Sequence, residues 1–463
     1  MWQHASGAPS ASSKRFAMDY IIKNGTVVNE GCLTKRDLYI HEGRLVEREE
    51  MLRKPQIFEA EGCYVLPGVI DTHVHFRDPG FPEKADFATE SQAALAGGVT
   101  SVIDMPNTDP QTTSLQTLEA KERIAATKSA VNYGFMLGAT NNNIDDLLSI
   151  PVERYAAIKL FLGSSTGNML VNQPQALDKL FAESKKLIVA HCEEENIIQA
   201  NLHNYKLEYA NTDRETAALH PKIRNTEACF VSSYKAIERA RKYNTRLHIA
   251  HVSTSTELSL LSNRDLEEKN ITAEVTPNHL WFDDRDYEEL GNKIKCNPAI
   301  KSNDDRLGLW GGLVDGLIDT IATDHAPHTL ASKEKRYFEA PGGIPSIQHS
   351  LQMMLEGFFN PAALQREDHN EVLQEWLPLL VAKMCHNPAT LFGISERGFI
   401  RPGYYADLVI VEPGETAVTR ESLLYKCKWS PLEGKTLHTR VRKVFLNGMP
   451  AEQSTAMQLK FIK

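Results

Sequence analysis

The chain has no CxxC pair; its seven cysteines stand singly, at Cys32, Cys63, Cys192, Cys229, Cys296, Cys385 and Cys427. An odd and scattered set in a long chain excludes a disulfide framework and suits a reducing compartment, so a cytoplasmic protein is expected. An excess of positive charge is also missing. Lys+Arg number 51 against Asp+Glu 60, a net charge of −9. That excludes a nucleic-acid surface and a polybasic membrane contact. An anion can then be recognised only locally, by a few placed groups. No apolar run reaches the roughly 18 residues of a membrane-spanning helix. The first 17 residues, MWQHASGAPSASSKRFA, lack the apolar stretch of a secretory signal. Residues 1–18 therefore read as a disordered leader or tag, with Met18 a candidate natural start.

What is present is an ordinary globular composition, 42% hydrophobic and 24% charged over 463 residues, enough for one large domain with an appendage. Eight short apolar runs punctuate the middle of the chain. In order they are LPGVID, TSVIDM, NYGFMLGAT, YAAIKLFLG, KLIVAH, RLHIAH, ITAEVTPNH and IDTIATDH. Helix-like segments such as PQALDKLFAESKK and TEACFVSSYKAIERARKYN lie between them. Alternation of that kind implies βαβ units and a parallel sheet. Eight units in about 260 residues match an α/β fold of the (β/α)8 TIM-barrel type, whose chemistry sits at the C-terminal strand ends. The barrel is expected over residues 69–392. At residues 19–68 and 393–463 the pattern changes to short strands with NG and EG turns, as in DYIIKNGTVVNEG and RVRKVFLNGMPAE. These ends predict one small β-sandwich built from both termini.

Polar residues gather where the runs stop. His73, His75 and Arg77 in GVIDTHVHFRDPG alternate, so they share one strand face. His191, His251 and Asp324 close later runs, and Pro106-Asn107, Asn141 to Asn143, and Asn278 with His279 close others. A single histidine at a strand end is usually structural. Five such ligands converging on one barrel mouth point to a zinc-type metal site, although nothing in the spacing separates zinc from manganese or cobalt. Lys159 lies inside the apolar run AIKLFLG. Either its ammonium snorkels or pairs with an acid, or it faces the metals after carboxylation by CO2 to an anionic carbamate. A guanidinium beside a metal is odd, because two cations repel. Either Arg77 turns away to Asp78 or Glu83, or its planar fork awaits an anionic group on the substrate.

On these residues the chain resembles the amidohydrolase superfamily and, within it, the cyclic-amide hydrolases: dihydroorotases, allantoinases, hydantoinases and dihydropyrimidinases. The resemblance runs from Asp19 onward. It implies that His73, His75 and Asp324 bind one metal and His191 and His251 the other. Carboxylated Lys159 and a hydroxide would bridge two divalent ions, expected to be zinc, and Asp324 would move the proton. The motifs HVHFRDPG and MPNT are most similar to those of the dihydroorotases. That similarity implies that Arg77, Asn107 and His328 hold a substrate carboxylate, while Asn297, Pro341 and Gly342 meet the ring. The implied partner is a small anionic cyclic amide in pyrimidine biosynthesis, acted on by a homodimer. Asn278 departs from the pattern, since many relatives carry histidine there. Two other readings compete. A neutral-ring amidase of the allantoinase or hydantoinase type is disfavoured by Arg77. An inactive scaffold homologue is disfavoured by six filled ligand positions.

Overall fold

The computed structural model describes residues 18–163, 169–209 and 216–462; the leader expected at residues 1–18 lies outside them except for Met18. Each of the eight apolar runs becomes a strand of one parallel barrel. In order the strands are Val69–Val74, Val99–Asp104, Asn132–Phe135 continued by Leu137–Gly138, Ile158–Phe161, Ile188–His191, Leu247–Ile249, Ile271–Val275 and Thr320–Ile321. The ring closes where Val74 bridges His325 and the His75 N–H donates to the His325 carbonyl at 2.8 Å. Most strand residues are buried on both faces, which is why the strands read as continuous apolar runs rather than alternating ones. The third run is interrupted at Met136, where the chain changes partner from the second strand to the fourth.

Helices cover the outside. Pro174–Glu183 begins with proline at its first turn, where a missing N–H costs nothing. In Thr226–Tyr243 the Asn225 side chain accepts from the Ala228 N–H, and Asn244 ends the helix in a left-handed conformation. Its buried side carries Ala228, Cys229, Ser232, Ser233, Ala236, Ile237 and Ala240, the spacing of one helical face. After the sixth strand the described residues form two 3-10 turns, Thr256–Leu260 and Leu266–Glu268, and no α-helix.

Both termini build the β-sandwich. One sheet runs Arg44–Val46, Leu38–His41, Tyr20–Lys23, Gln56–Glu59. The other runs Met449–Pro450, Thr436–Leu446, Leu408–Ala417, Tyr64–Pro67, Thr26–Asn29, Cys32–Lys35. The two ends of the chain meet where Leu408–Ala417 pairs antiparallel with Tyr64–Pro67. Tight hairpins form at Glu42-Gly43 and Asn447-Gly448, all four residues at positive φ. The Asn24-Gly25 pair is no hairpin turn: it carries the chain from one sheet to the other. Two later stretches leave the sandwich for the barrel. Trp429 Nε1 donates to the His328 carbonyl at 2.7 Å, and Leu459 N donates to the Tyr133 carbonyl at 2.8 Å. Among the described residues no helix is long and apolar enough to cross a membrane.

Candidate active site

A cavity of about 560 Å3 opens at the C-terminal ends of the barrel strands. Its wall includes His73, His75, Lys159, His191, His251 and Asp324, and also Arg77, Asn107, Asn297, His328, Pro341 and Gly342. The structure thus brings these twelve residues, all assigned to the site from the sequence, to one place. The polar ends of the third and seventh runs stay out. Asn143 ties its own loop, donating to the Thr113 and Gly138 carbonyls. His279 is fixed by Thr276 and the Pro298 carbonyl, and Asn278 donates to Ser346 Oγ at 3.3 Å. Three wall residues, Arg77 (φ 63), His251 (φ 39) and Asp324 (φ 48), hold left-handed backbone conformations. Such strain persists only where surrounding packing dictates it.

Hydrogen bonds settle which ring nitrogens face the cavity. His73 Nδ1 lies 2.7 Å from Glu274 Oε1, and His75 Nδ1 lies 2.7 Å from Asn107 Oδ1. Each Nδ1 therefore carries the proton and each Nε2 offers a lone pair. His75 Nε2 then faces Asp324 Oδ1 at 3.0 Å, and His73 Nε2 faces it at 3.4 Å. These are acceptors pointed at one another, an arrangement that a shared cation satisfies. His191 Nε2 is engaged by Glu193 at 2.9 Å, while its Nδ1 lies 2.9 Å from His251 Nε2. His251 Nδ1 is buried without a partner among the described residues. His73, His251 and Asp324 offer ligand atoms within 4.8 Å of one another.

The electrostatics favour the same occupant. Burial pushes His75 down to about 3, and takes His191 and His251 below the ordinary histidine value, so these imidazoles are neutral ligands. Burial alone would raise the Asp324 carboxyl; with the imidazoles neutral, a cation bound among them would hold it ionised. Lys159 is fully buried, with Nζ 3.5 Å from His73 Nε2 and no ion pair among the described residues. It neither snorkels nor pairs. Burial lowers it to about 8 against the pull of Glu274 and Asp324, so that about a tenth of the amine is neutral and nucleophilic at pH 7. The donor set is therefore one that suits divalent metal ions.

At the other end of the cavity Arg77 is 3% exposed. It does not turn to Asp78, whose carboxylate takes Lys128 at 2.7 Å, nor does it ion-pair with Glu83. Its Nη2 lies 3.4 Å from the His328 ring Nε2, and its Nε is buried with no partner among the described residues. Burial lowers the guanidinium to about 10, although Asp324 and Asp104 act against this. Lys84 lines the cavity as well, a second cation at this end. Asn297 Oδ1 takes a hydrogen bond from His220 Nε2 at 3.0 Å; the same nitrogen lies 2.8 Å from the Cys296 carbonyl, and Tyr337 Oη meets His220 Nδ1 at 2.9 Å. These contacts fix the Asn297 amide.

Several supporting residues escaped the sequence reading. Glu274 orients His73 and also accepts from the His251 N–H at 3.3 Å; an acid inside the apolar run ITAEV was the available signal. Asp71 joins the first and last strands through Thr323 and the His73 N–H, and burial raises it to about 6. Arg224 pairs with Glu193 behind His191. Nothing in the local sequence marked Lys84, Arg224 or His220.

Comparison with known proteins gives consistent relatives. The model of the amidohydrolase family matches residues 64–450. The chain is 33% identical over 377 residues to a dihydroorotase of Methanosphaera stadtmanae, covering 80% of this chain and 81% of that protein. It is 28% identical over 443 residues to an allantoinase of Salmonella choleraesuis, covering 93% and 94%. Among solved structures, an L-hydantoinase (dihydropyrimidinase) from Arthrobacter aurescens matches with a TM-score of 0.85 at 26% identity, covering 96% of this chain and 98% of that one.

Proposed function

The chain belongs to the amidohydrolase family and is a cyclic amidohydrolase, and from that premise we propose that it is a dihydroorotase. Its reaction is then the reversible hydrolysis of dihydroorotate to N-carbamoyl-L-aspartate in pyrimidine biosynthesis. One observation carries this choice of ring: Arg77, buried on the cavity wall with no acid partner among the described residues. An unpaired buried cation is costly, and a planar guanidinium is matched by a carboxylate. Dihydroorotate has that carboxylate; allantoin and hydantoin rings do not.

We assign two divalent ions, zinc in this reading, to His73, His75, Lys159, His191, His251 and Asp324, with Lys159 as the carbamate. When bound, such ions acidify water and polarise an amide carbonyl. Asp324 is the only wall carboxylate among the described residues that is not exposed. It receives the proton of the attacking water and delivers it to the ring nitrogen as the C–N bond breaks. Arg77, Asn107 and His328 hold the remote carboxylate, so that binding energy becomes orientation. Asn297, Pro341 and Gly342 meet the ring. In ring closure Asp324 takes the proton from the carbamoyl nitrogen instead.

The test is a comparison of dihydroorotate with dihydrouracil, the same ring without the carboxylate. The reading expects dihydroorotate to be preferred in kcat/KM by at least about 100-fold, the worth of a bidentate charged contact. Equal rates would overturn it while leaving the metal assignment intact.

A further inference from the structure

Behind the ring-facing wall lie two buried lysines that the chemistry above does not use. Lys333 ends the short helix Leu330–Lys333 and is 2% exposed. Its Nζ donates to three backbone carbonyls, those of Lys295 at 2.9 Å, Gly343 at 2.9 Å and Pro341 at 3.0 Å. An ammonium has three protons and no acceptor, so these carbonyls use all it has. Lys295 secures the start of the same loop, donating to Tyr337 O at 2.7 Å and Ala340 O at 2.5 Å. Neither lysine makes an ion pair among the described residues. Burial lowers Lys333 to about 7 and Lys295 to about 8, while carbonyl acceptors favour the charged form.

The loop held in this way is the one that shapes the cavity. The Lys295 carbonyl also accepts from Gly343 N at 2.8 Å, joining the segment that carries Asn297 to the segment Pro341–Gly343. Gly342 lies so close to Asn297 that an added Cβ would sit 3.0 Å from both amide heavy atoms. Gly343, at φ +141, is pressed against the Ala326 carbonyl and the His328 ring. The loop is wedged between the residue that meets the ring and one that meets the carboxylate. A small shift of its backbone moves both contacts.

We propose that Lys333 is a positioning residue: through its three carbonyls it sets the gap between the Asn297 and His328 walls, and with it the affinity for substrate. It touches no reacting atom. The proposal rests on this cavity being the cyclic-amide site, and not on which cyclic amide fills it.

The test is Lys333→Met, which keeps the chain length and removes the three donors. KM and kcat are measured on whichever cyclic amide the wild type turns over fastest, and hydrogen exchange is followed across residues 294–300 and 337–344. With the Pro341 and Gly343 carbonyls left without a donor and the Lys295 carbonyl keeping only the Gly343 N–H, KM is expected to rise at least about tenfold while kcat stays within about threefold. Exchange should quicken in those two segments and not elsewhere. A KM within twofold of wild type, or faster exchange across the whole chain with collapse of kcat, would overturn the proposal. Should Lys333→Met not fold, Lys333→Gln, which keeps two N–H donors, is judged on the same criteria. The exchange reading needs no substrate, so it stands apart from the assignment of dihydroorotate.

Discussion

Replacing Arg77 by methionine separates recognition of the carboxylate from everything else in the cavity. The backbone at residue 77 is left-handed (φ 63), a strain that any residue with a Cβ bears alike, so the exchange adds none. In the free protein the guanidinium has little to lose. Among the described residues its hydrogen-bond contact is the 3.4 Å approach to His328, and Nε has no partner. The loss therefore falls on the bound anion. Two parallel charge-assisted bonds in a site that is 3% exposed are worth about 3–4 kcal/mol together, roughly 10²- to 10³-fold in kcat/KM. For a ring without the carboxylate there is no such bond to remove, and kcat/KM should stay within about threefold. The assay measures both substrates on wild type and variant with metal content matched, because His75 is two residues away. Arg77→Lys should fall between, keeping the charge and losing the fork. Equal losses on both rings would make Arg77 structural and refute the reasoning.

Other outcomes follow from the same geometry. Asp324→Asn should lower turnover by at least about 10³-fold with the melting temperature little changed, since it removes the proton carrier and a ligand; activity within tenfold of wild type would exclude that role. Glu274→Gln should weaken metal binding by about 10- to 100-fold, measured by competition with a chelator, because the carboxylate fixes the His73 tautomer at 2.7 Å. Lys383, 5% exposed and among the described residues bonded to the Ile318 carbonyl, is lowered by burial to about 8. In the unfolded chain it binds its proton up to about pH 10.4, so the charged form costs stability below pH 8 and the cost fades as pH rises toward 10.4. Relative to wild type, Lys383→Met should be most favourable at pH 7 and lose about 2 kcal/mol of that advantage through pH 8–10, on top of a pH-independent cost for leaving the Ile318 carbonyl without its donor, read from melting temperatures at fixed scan rate.

The barrel was legible because its strands are buried on both faces, and residues with that fate form unbroken apolar runs. The site was legible because (β/α)8 topology collects strand ends, so that His73 and Asp324, 251 positions apart in the chain, needed no contact information to be grouped. What supports the site was less visible. Glu274 was concealed inside a strand, and Lys333 reads as an ordinary helix residue until its three carbonyls are seen. Arg224 and His220 act through contacts that depend on loop paths. The sandwich was legible as β structure from its turns, but its seam, Tyr64 against Val411, is too distant in sequence to be inferred. Asn24-Gly25 shows the limit of turn signals, since the same dipeptide that makes a hairpin at Asn447-Gly448 here links two sheets.

The central claim is a metal-assisted opening of an anionic cyclic amide. Its most direct test is turnover of dihydroorotate, allantoin and a 5-substituted hydantoin side by side, with bound metal counted on the same sample. The account predicts turnover of dihydroorotate alone with about two metal ions per chain. Turnover of a neutral ring in preference, or no turnover from fully loaded protein, would contradict it.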